Sequence, residues 1–175
     1  WKPKRTIVFG AWGAEEQGLM GSVEWVEDHA KELSEKLVAY INTDGNGAGF
    51  LGAGGSHTLE TFFDQIAHEV KDPIQNGGEF GGGSYHTNYD SYHYYTKFRD
   101  PGLHYTKALG AVTGRVVTRL ANADVLPFQF GNMARTVSEY ADEMVSAMEK
   151  TRKDVERHNM LVNNGHYKAA ANIRE

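Results

Sequence analysis

The chain has 175 residues, 18 basic and 23 acidic side chains, a formal net charge of −5 and no cysteine. That length supports one domain with a real core. The composition excludes thiolate metal sites, cysteine nucleophiles and disulfides. It shows no basic stripe for nucleic acid and no apolar run long enough to span a bilayer.

The sequence opens on Trp1-Lys2-Pro3-Lys4-Arg5 ahead of an apolar run, as a chain entered in mid-domain would. Thr6 to Ala11 reads as a buried strand, β-branched and aromatic, with charge before it and glycine after. It runs into Trp12-Gly13-Ala14-Glu15-Glu16-Gln17-Gly18. Leu19, Val23, Val26, Ala30 and Leu33 recur at helical spacing and predict a helix. Leu37 to Asn42 reads as a second short buried strand. Strand, helix and strand within about 40 residues make a βαβ unit, so the two strands are expected to be parallel neighbours. Asp44 follows the second strand directly, so both strands are expected to deliver acids to one edge of one sheet.

Leu59, Phe62, Phe63, Ile66 and Val70 predict the next helix. A glycine-rich loop follows, and then the aromatic stretch from Tyr85 to Tyr95, which contains His86 and His93. Beyond Pro101 the pattern is helical. Leu109, Val112, Val116 and Leu120 share one face. Val137, Tyr140, Ala141, Met144, Val145 and Met148 form the cleanest stripe, and a weaker helix is expected from Thr151 to Val162. Composition shifts near residue 103, and the chain is divided there into 1–103 and 104–175.

Three positions carry candidate chemistry. Glu15 and Glu16 sit at the end of an apolar segment, where ionised carboxylates need a partner or a metal. One can face a metal while its neighbour faces a water, or the pair can simply suit a helix N-terminus. Asp44 is either a ligand or an ordinary turn aspartate before glycine. His86 is the residue type that binds metals most often, though a lone histidine is commonly structural. His93 reads as packing or surface. The sequence has no G-x-S-x-G elbow, no Walker loop, no dinucleotide fingerprint and no H-E-x-x-H.

At these residues the chain resembles the glutamate carboxypeptidase II and transferrin-receptor-like family of zinc peptidases. Trp12 to Ser22 is similar to the family's W-x-A-E-E-x-G-L-x-G-S. Tyr40-Ile41-Asn42-Thr43-Asp44 is similar to its Y-I-N-x-D, and Tyr85-His86-Thr87 to its Y-H-[ST]. The segment from Leu120 to Phe128 resembles the start of its helical dimerisation domain. The resemblance implies an α/β fold. A three-layer α/β/α zinc-exopeptidase domain with a mixed sheet would be followed by dimerisation helices. It implies two zinc ions, with Glu16 and His86 on one and Asp44 on the other. It further implies Glu15 as general base and Tyr85 in the substrate site. A peptide substrate, a homodimer through the C-terminal helices and an extracellular, periplasmic or membrane-anchored location follow from the same resemblance.

Two features depart from the family. The family's upstream histidine and bridging aspartate have no counterpart in the chain. Its segment before the Y-H motif is replaced by a direct join near Asn76 and Gly77. The implied activity is zinc-dependent exopeptidase action on small peptides, by a carboxypeptidase or an aminopeptidase. The alternatives are a non-catalytic receptor-like homologue and an inactive fragment. Retention of Glu15, Glu16, Asp44 and His86 together argues against the receptor-like reading.

Overall fold

Residues Leu109 to Leu120 carry the strongest core-facing pattern of the middle of the chain, and the structure builds its longest buried element there. In this computed structural model, residues 1–44, 47–73 and 84–167 are described. The join between Asn76 and Gly77 lies outside them. The α-helices, in chain order, are α1 (Met20–Asp28), α2 (Ala30–Lys36), α3 (Glu60–His68), the single turn α4 (Tyr92–Tyr94), which continues as a π-helical turn over Tyr95–Arg99, α5 (His104–Asn122) and α6 (Phe130–Asn163). The residues divide into two compact units, one of Trp1–Gly54 with Phe62–Pro127 and one of Gly55–Thr61 with Phe128–Glu175.

In the first unit the core is Ile66 of α3 with Tyr105, Val112, Val116, Leu120 and Ala121 of α5. Both ends of α5 are held by side chains, which offsets the orphan groups of a helix terminus. At its start lies Asp100, a carboxylate only 2% exposed. It accepts from the Tyr105 amide at 3.1 Å, the Thr106 amide at 2.9 Å and the Thr106 hydroxyl at 2.9 Å. Burial alone would raise the pKa of Asp100. The amides of Thr106 and Tyr105, the Thr106 hydroxyl and the His104 backbone outweigh it, so the carboxyl titrates below its ordinary value. At the far end, the Arg5 guanidinium donates to the carbonyls of Leu120 at 2.9 Å and Ala123 at 2.7 Å. Lys4 pairs with Asp124 beside it. Arg119 grips Glu69 with two parallel bonds of 2.8 and 2.7 Å, tying α5 to the segment after α3.

In the second unit the turn His57–Leu59 packs against α6. The Gln129 amide donates to the Thr58 carbonyl at 2.8 Å, and the Asn132 side chain donates to the Thr61 hydroxyl at 2.9 Å. The His57 and Tyr140 rings meet edge-on, 6.3 Å apart.

The expected mixed α/β sheet is overturned: among the described residues no strand is formed, and the structure is helical. The apolar runs at 6–11 and 37–42 have strand composition but no ladder. Phe9 is 91% exposed and Leu37 and Tyr40 are exposed as well. Strand propensity reflects fit to a pleated surface built by neighbours. A sheet needs about three strands with an apolar face to be stable, and two candidates fall short of that.

The expected helix from Leu19 to Leu33 is two helices, interrupted at His29 (φ −107°, ψ 10°). The two helices expected after residue 130 are one helix of 34 residues. No proline or glycine interrupts it near residue 150. The Thr151 hydroxyl there bonds back to the Ala147 carbonyl without breaking the turn. Among the described residues no helix is long and apolar enough to cross a membrane.

Asp100→Ala leaves the first amides of α5 without their acceptor and is expected to destabilise the protein by roughly 1–3 kcal/mol at pH 7. Because the folded pKa is depressed, this contribution is complete above the unfolded carboxylate pKa of about 3.9. It disappears as pH falls through the lower folded value. Urea titrations at pH 7 and in strong acid check both statements, since the gap between wild type and variant must narrow on acidification.

Candidate active site

The loop that carries the two glutamates folds back on itself. The Gly13 carbonyl accepts from the Gly21 amide at 3.2 Å, and the Ala14 carbonyl from the Met20 amide at 3.1 Å. The Glu15 carbonyl accepts from both Gly18 at 3.0 Å and Leu19 at 2.8 Å. To make this reversal, Ala14 (φ 54°), Gly18 (φ 103°) and Leu19 (φ 61°) take left-handed backbone. For Ala14 and Leu19 that conformation costs roughly 1–2 kcal/mol apiece. Gly21 fits for a different reason. A Cβ on it would stand 2.5 Å from the Gly13 carbonyl oxygen, and backbone cannot swing aside.

The histidine loop is built as tightly. Ser84 is buried, and its carbonyl accepts from the Thr87 amide at 3.1 Å and the Thr87 hydroxyl at 2.7 Å. His86 itself is left-handed (φ 57°), a conformation histidine tolerates better than most residues. Its ring stacks on Tyr85, with centroids 3.8 Å apart and planes 21° apart.

The two loops meet. His86 Nε2 lies 2.8 Å from Glu16 Oε1, across 70 residues of sequence. An ionised carboxylate only accepts, so the imidazole donates. Both side chains remain more than half exposed. Glu15, beside Glu16, makes no side-chain hydrogen bond or ion pair among the described residues, so one acid is engaged and its neighbour is not. Asp44 lies on an exposed stretch that continues the 37–42 segment. No group of three histidines or acids able to hold a metal occurs among the described residues, so Asp44 does not join Glu16 and His86 there.

The pair fits zinc in kind and falls short in number. A carboxylate and an imidazole are ordinary zinc ligands, but a zinc site takes three or four protein donors. Two donors on one tetrahedral ion, each about 2.0–2.1 Å away, stand about 3.3 Å apart. The observed 2.8 Å is the span bridged by a proton, close to the span an ion would bridge.

Arg99 is a neighbour that sequence pattern alone did not single out. Its Nη1 lies 3.4 Å from the Ser84 hydroxyl, and a Cβ on Gly47 would lie 3.4 Å from its Nη2. It stands between the loop after Asp44 and the loop before His86. A lone arginine inside Lys97-Phe98-Arg99-Asp100 gives no spacing signal that would have marked it.

The profile of peptidase family M28 matches residues 1–108. The chain belongs to peptidase family M28. Its M28 segment contains Glu15, Glu16, Asp44, Tyr85 and His86. The chain is 32% identical to a probable glutamate carboxypeptidase of Arabidopsis thaliana over 187 residues, covering 82% of this chain and 27% of that protein. It is 30% identical to a probable glutamate carboxypeptidase of Arthroderma benhamiae, covering 81% of this chain and 26% of that protein. It is 26% identical to an aminopeptidase of Mus musculus, covering 85% and 28% respectively. The chain thus spans about a quarter of the length of these curated relatives. No solved structure matches it.

The Arabidopsis relative is longer than this chain across the region they share. In the Arabidopsis match, 82% of this chain is about 144 of its 175 residues, set over 187 aligned positions. About 43 residues of that relative therefore have no partner here.

An exposed Glu16–His86 pair contributes little to stability, because solvent screens it. Glu16→Gln and His86→Asn are therefore expected to leave the urea midpoint at the wild-type value. A large loss in either variant would mark the pair as a structural strut.

Proposed function

We propose that the protein containing this chain is a zinc-dependent exopeptidase acting on small peptides, as a glutamate carboxypeptidase or an aminopeptidase. The observation that carries the reading is the approach of Glu16 to His86, while Glu15 has no side-chain partner among the described residues. Membership of the M28 peptidases and likeness to proteins named as glutamate carboxypeptidases and an aminopeptidase support it.

In this reading Glu16 and His86 hold one zinc ion and Asp44 contributes to the other. Bound zinc supplies a Lewis acid that brings the pKa of water toward about 7. Glu15 takes a proton from the attacking water on a carboxylate oxygen and returns it to the nitrogen of the leaving amine. Its exposed position leaves that carboxylate open to solvent, as a base that exchanges protons with water requires. Tyr85 orients the His86 ring by stacking on it and lines the substrate side of the loop, where its hydroxyl helps stabilise the oxyanion.

Glu15→Gln in the full protein is expected to lower kcat by roughly 10²- to 10⁴-fold while zinc content stays at the wild-type value. Glu16→Ala and His86→Ala are expected to lose zinc. Metal analysis, with hydrolysis of α- and γ-linked glutamyl dipeptides and of aminoacyl anilides, tests the assignments and separates the two exopeptidase types. Wild-type turnover in Glu15→Gln would refute the base assignment.

A second copy is the proposed occupant of the apolar stripe on α6. Val137, Tyr140, Met144 and Met148 recur there every three or four residues and are all exposed. That is the spacing of a helix–helix seam. Met144→Glu is expected to shift the protein to monomer in sedimentation velocity. A dimer that persists would place the interface elsewhere.

A further inference from the structure

The glutamates owe their division of roles to the backbone beneath them. Glu15 and Glu16 are identical side chains one residue apart, yet only Glu16 reaches His86. The cause lies in the loop that carries them. Its neck is closed by the Gly13–Gly21 and Ala14–Met20 hydrogen bonds, and its turn is closed on the Glu15 carbonyl by two amides. Inside that closure the chain direction is set by left-handed backbone at Ala14, immediately before Glu15, and at Leu19.

We infer that Ala14 and Gly21 are positioning residues of the site. Ala14 sets the direction in which the Glu15-Glu16 pair leaves the chain. Gly21 allows the start of α1 to lie against Gly13, because a Cβ there would be 2.5 Å from the Gly13 oxygen and 3.1 Å from its nitrogen. Gly21 has no side chain and Ala14 carries only a methyl group, so neither supplies a polar side-chain contact to Glu16 or His86. Residues 11–20 are all exposed, so the loop adds nothing to the buried core of Ile66 and α5. Two strained non-glycine residues in a loop that supplies no core packing are accounted for by placement of the acids. The inference rests on the zinc-exopeptidase reading above.

The test uses the full protein with Gly21→Ala, Ala14→Val and Ala14→Gly. Each is measured for zinc affinity by chelator competition, for kcat and KM on the preferred peptide, and for thermal unfolding. Alanine at 21 must push Gly13 away. Valine at 14 resists left-handed backbone, whereas glycine accepts it. Gly21→Ala and Ala14→Val are expected to weaken zinc binding at least tenfold and lower kcat at least tenfold. KM and the unfolding temperature are expected to stay near wild type. Ala14→Gly, the conservative variant, is expected to recover zinc affinity to within threefold of wild type.

Wild-type zinc affinity and kcat in both Gly21→Ala and Ala14→Val would overturn the positioning role and leave the exopeptidase reading standing. Losses that merely follow a lowered unfolding temperature in all three variants would overturn it too. A wild-type protein that neither binds zinc nor cleaves peptides would instead refute the underlying reading.

Discussion

The first unit depends on hydrogen bonding at the two ends of α5. A helix leaves amides at its start and carbonyls at its end without partners, and burying such groups unpaired is costly. Asp100 meets the amides of Tyr105 and Thr106 from a position almost out of solvent, and Arg5 meets the carbonyls of Leu120 and Ala123. With both ends satisfied, the apolar face from Tyr105 to Leu120 can lie in the interior. Arg5 also anchors the chain where the segment Thr6 to Trp12 begins, and that segment leads into the glutamate loop. The two ends of α5 therefore reach the site through different routes. Asp100 directly follows Arg99, which touches Ser84 at the base of the histidine loop, and Arg5 precedes Thr6 to Trp12.

The site is held differently from this core. Its two loops are stabilised by their own backbone bonds: Gly13 to Gly21 and Ala14 to Met20 in one, Ser84 to Thr87 in the other. Short-range closure of this kind keeps an exposed loop in shape without buried apolar area, as Ω-type loops do. It also explains why strained residues gather there. Among the described residues, Ala14, Leu19 and His86 are three of the four non-glycine residues with left-handed backbone, and all three lie on the glutamate or histidine loop. The fourth, Leu103, lies at the start of α5.

Sequence pattern was informative where the signal was local. The face of Val112, Val116 and Leu120 is buried as helical spacing requires, and the stripe from Val137 to Met148 lies on one helix. It was misleading where structure depends on partners. Thr6 to Ala11 and Leu37 to Asn42 have strand composition, but composition cannot state how many neighbouring strands there are to pair with. The split at His29 was also unreadable, since Leu19 to Leu33 keeps its apolar spacing straight through it. In the site, residue type and motif marked Glu16 and His86, whereas Arg99 has no pattern of its own and acts through contacts visible only in three dimensions.

The relation between Glu15 and Glu16 draws these threads together. Sequence marks the pair but assigns no order to it, because the two side chains are chemically the same. The structure supplies a physical asymmetry: one carboxylate is spent on His86, and the other has no side-chain partner among the described residues. That asymmetry requires no difference in the acids, only a backbone that turns sharply between fixed points. A base and a ligand need opposite things from their surroundings. The base must meet water, and the ligand must be held against a second donor. Adjacent residues on a regular strand would point to opposite faces, and on a regular helix they would diverge by about 100°. A strained, internally closed turn is free of both periodicities, and it gives neighbouring identical acids unlike surroundings.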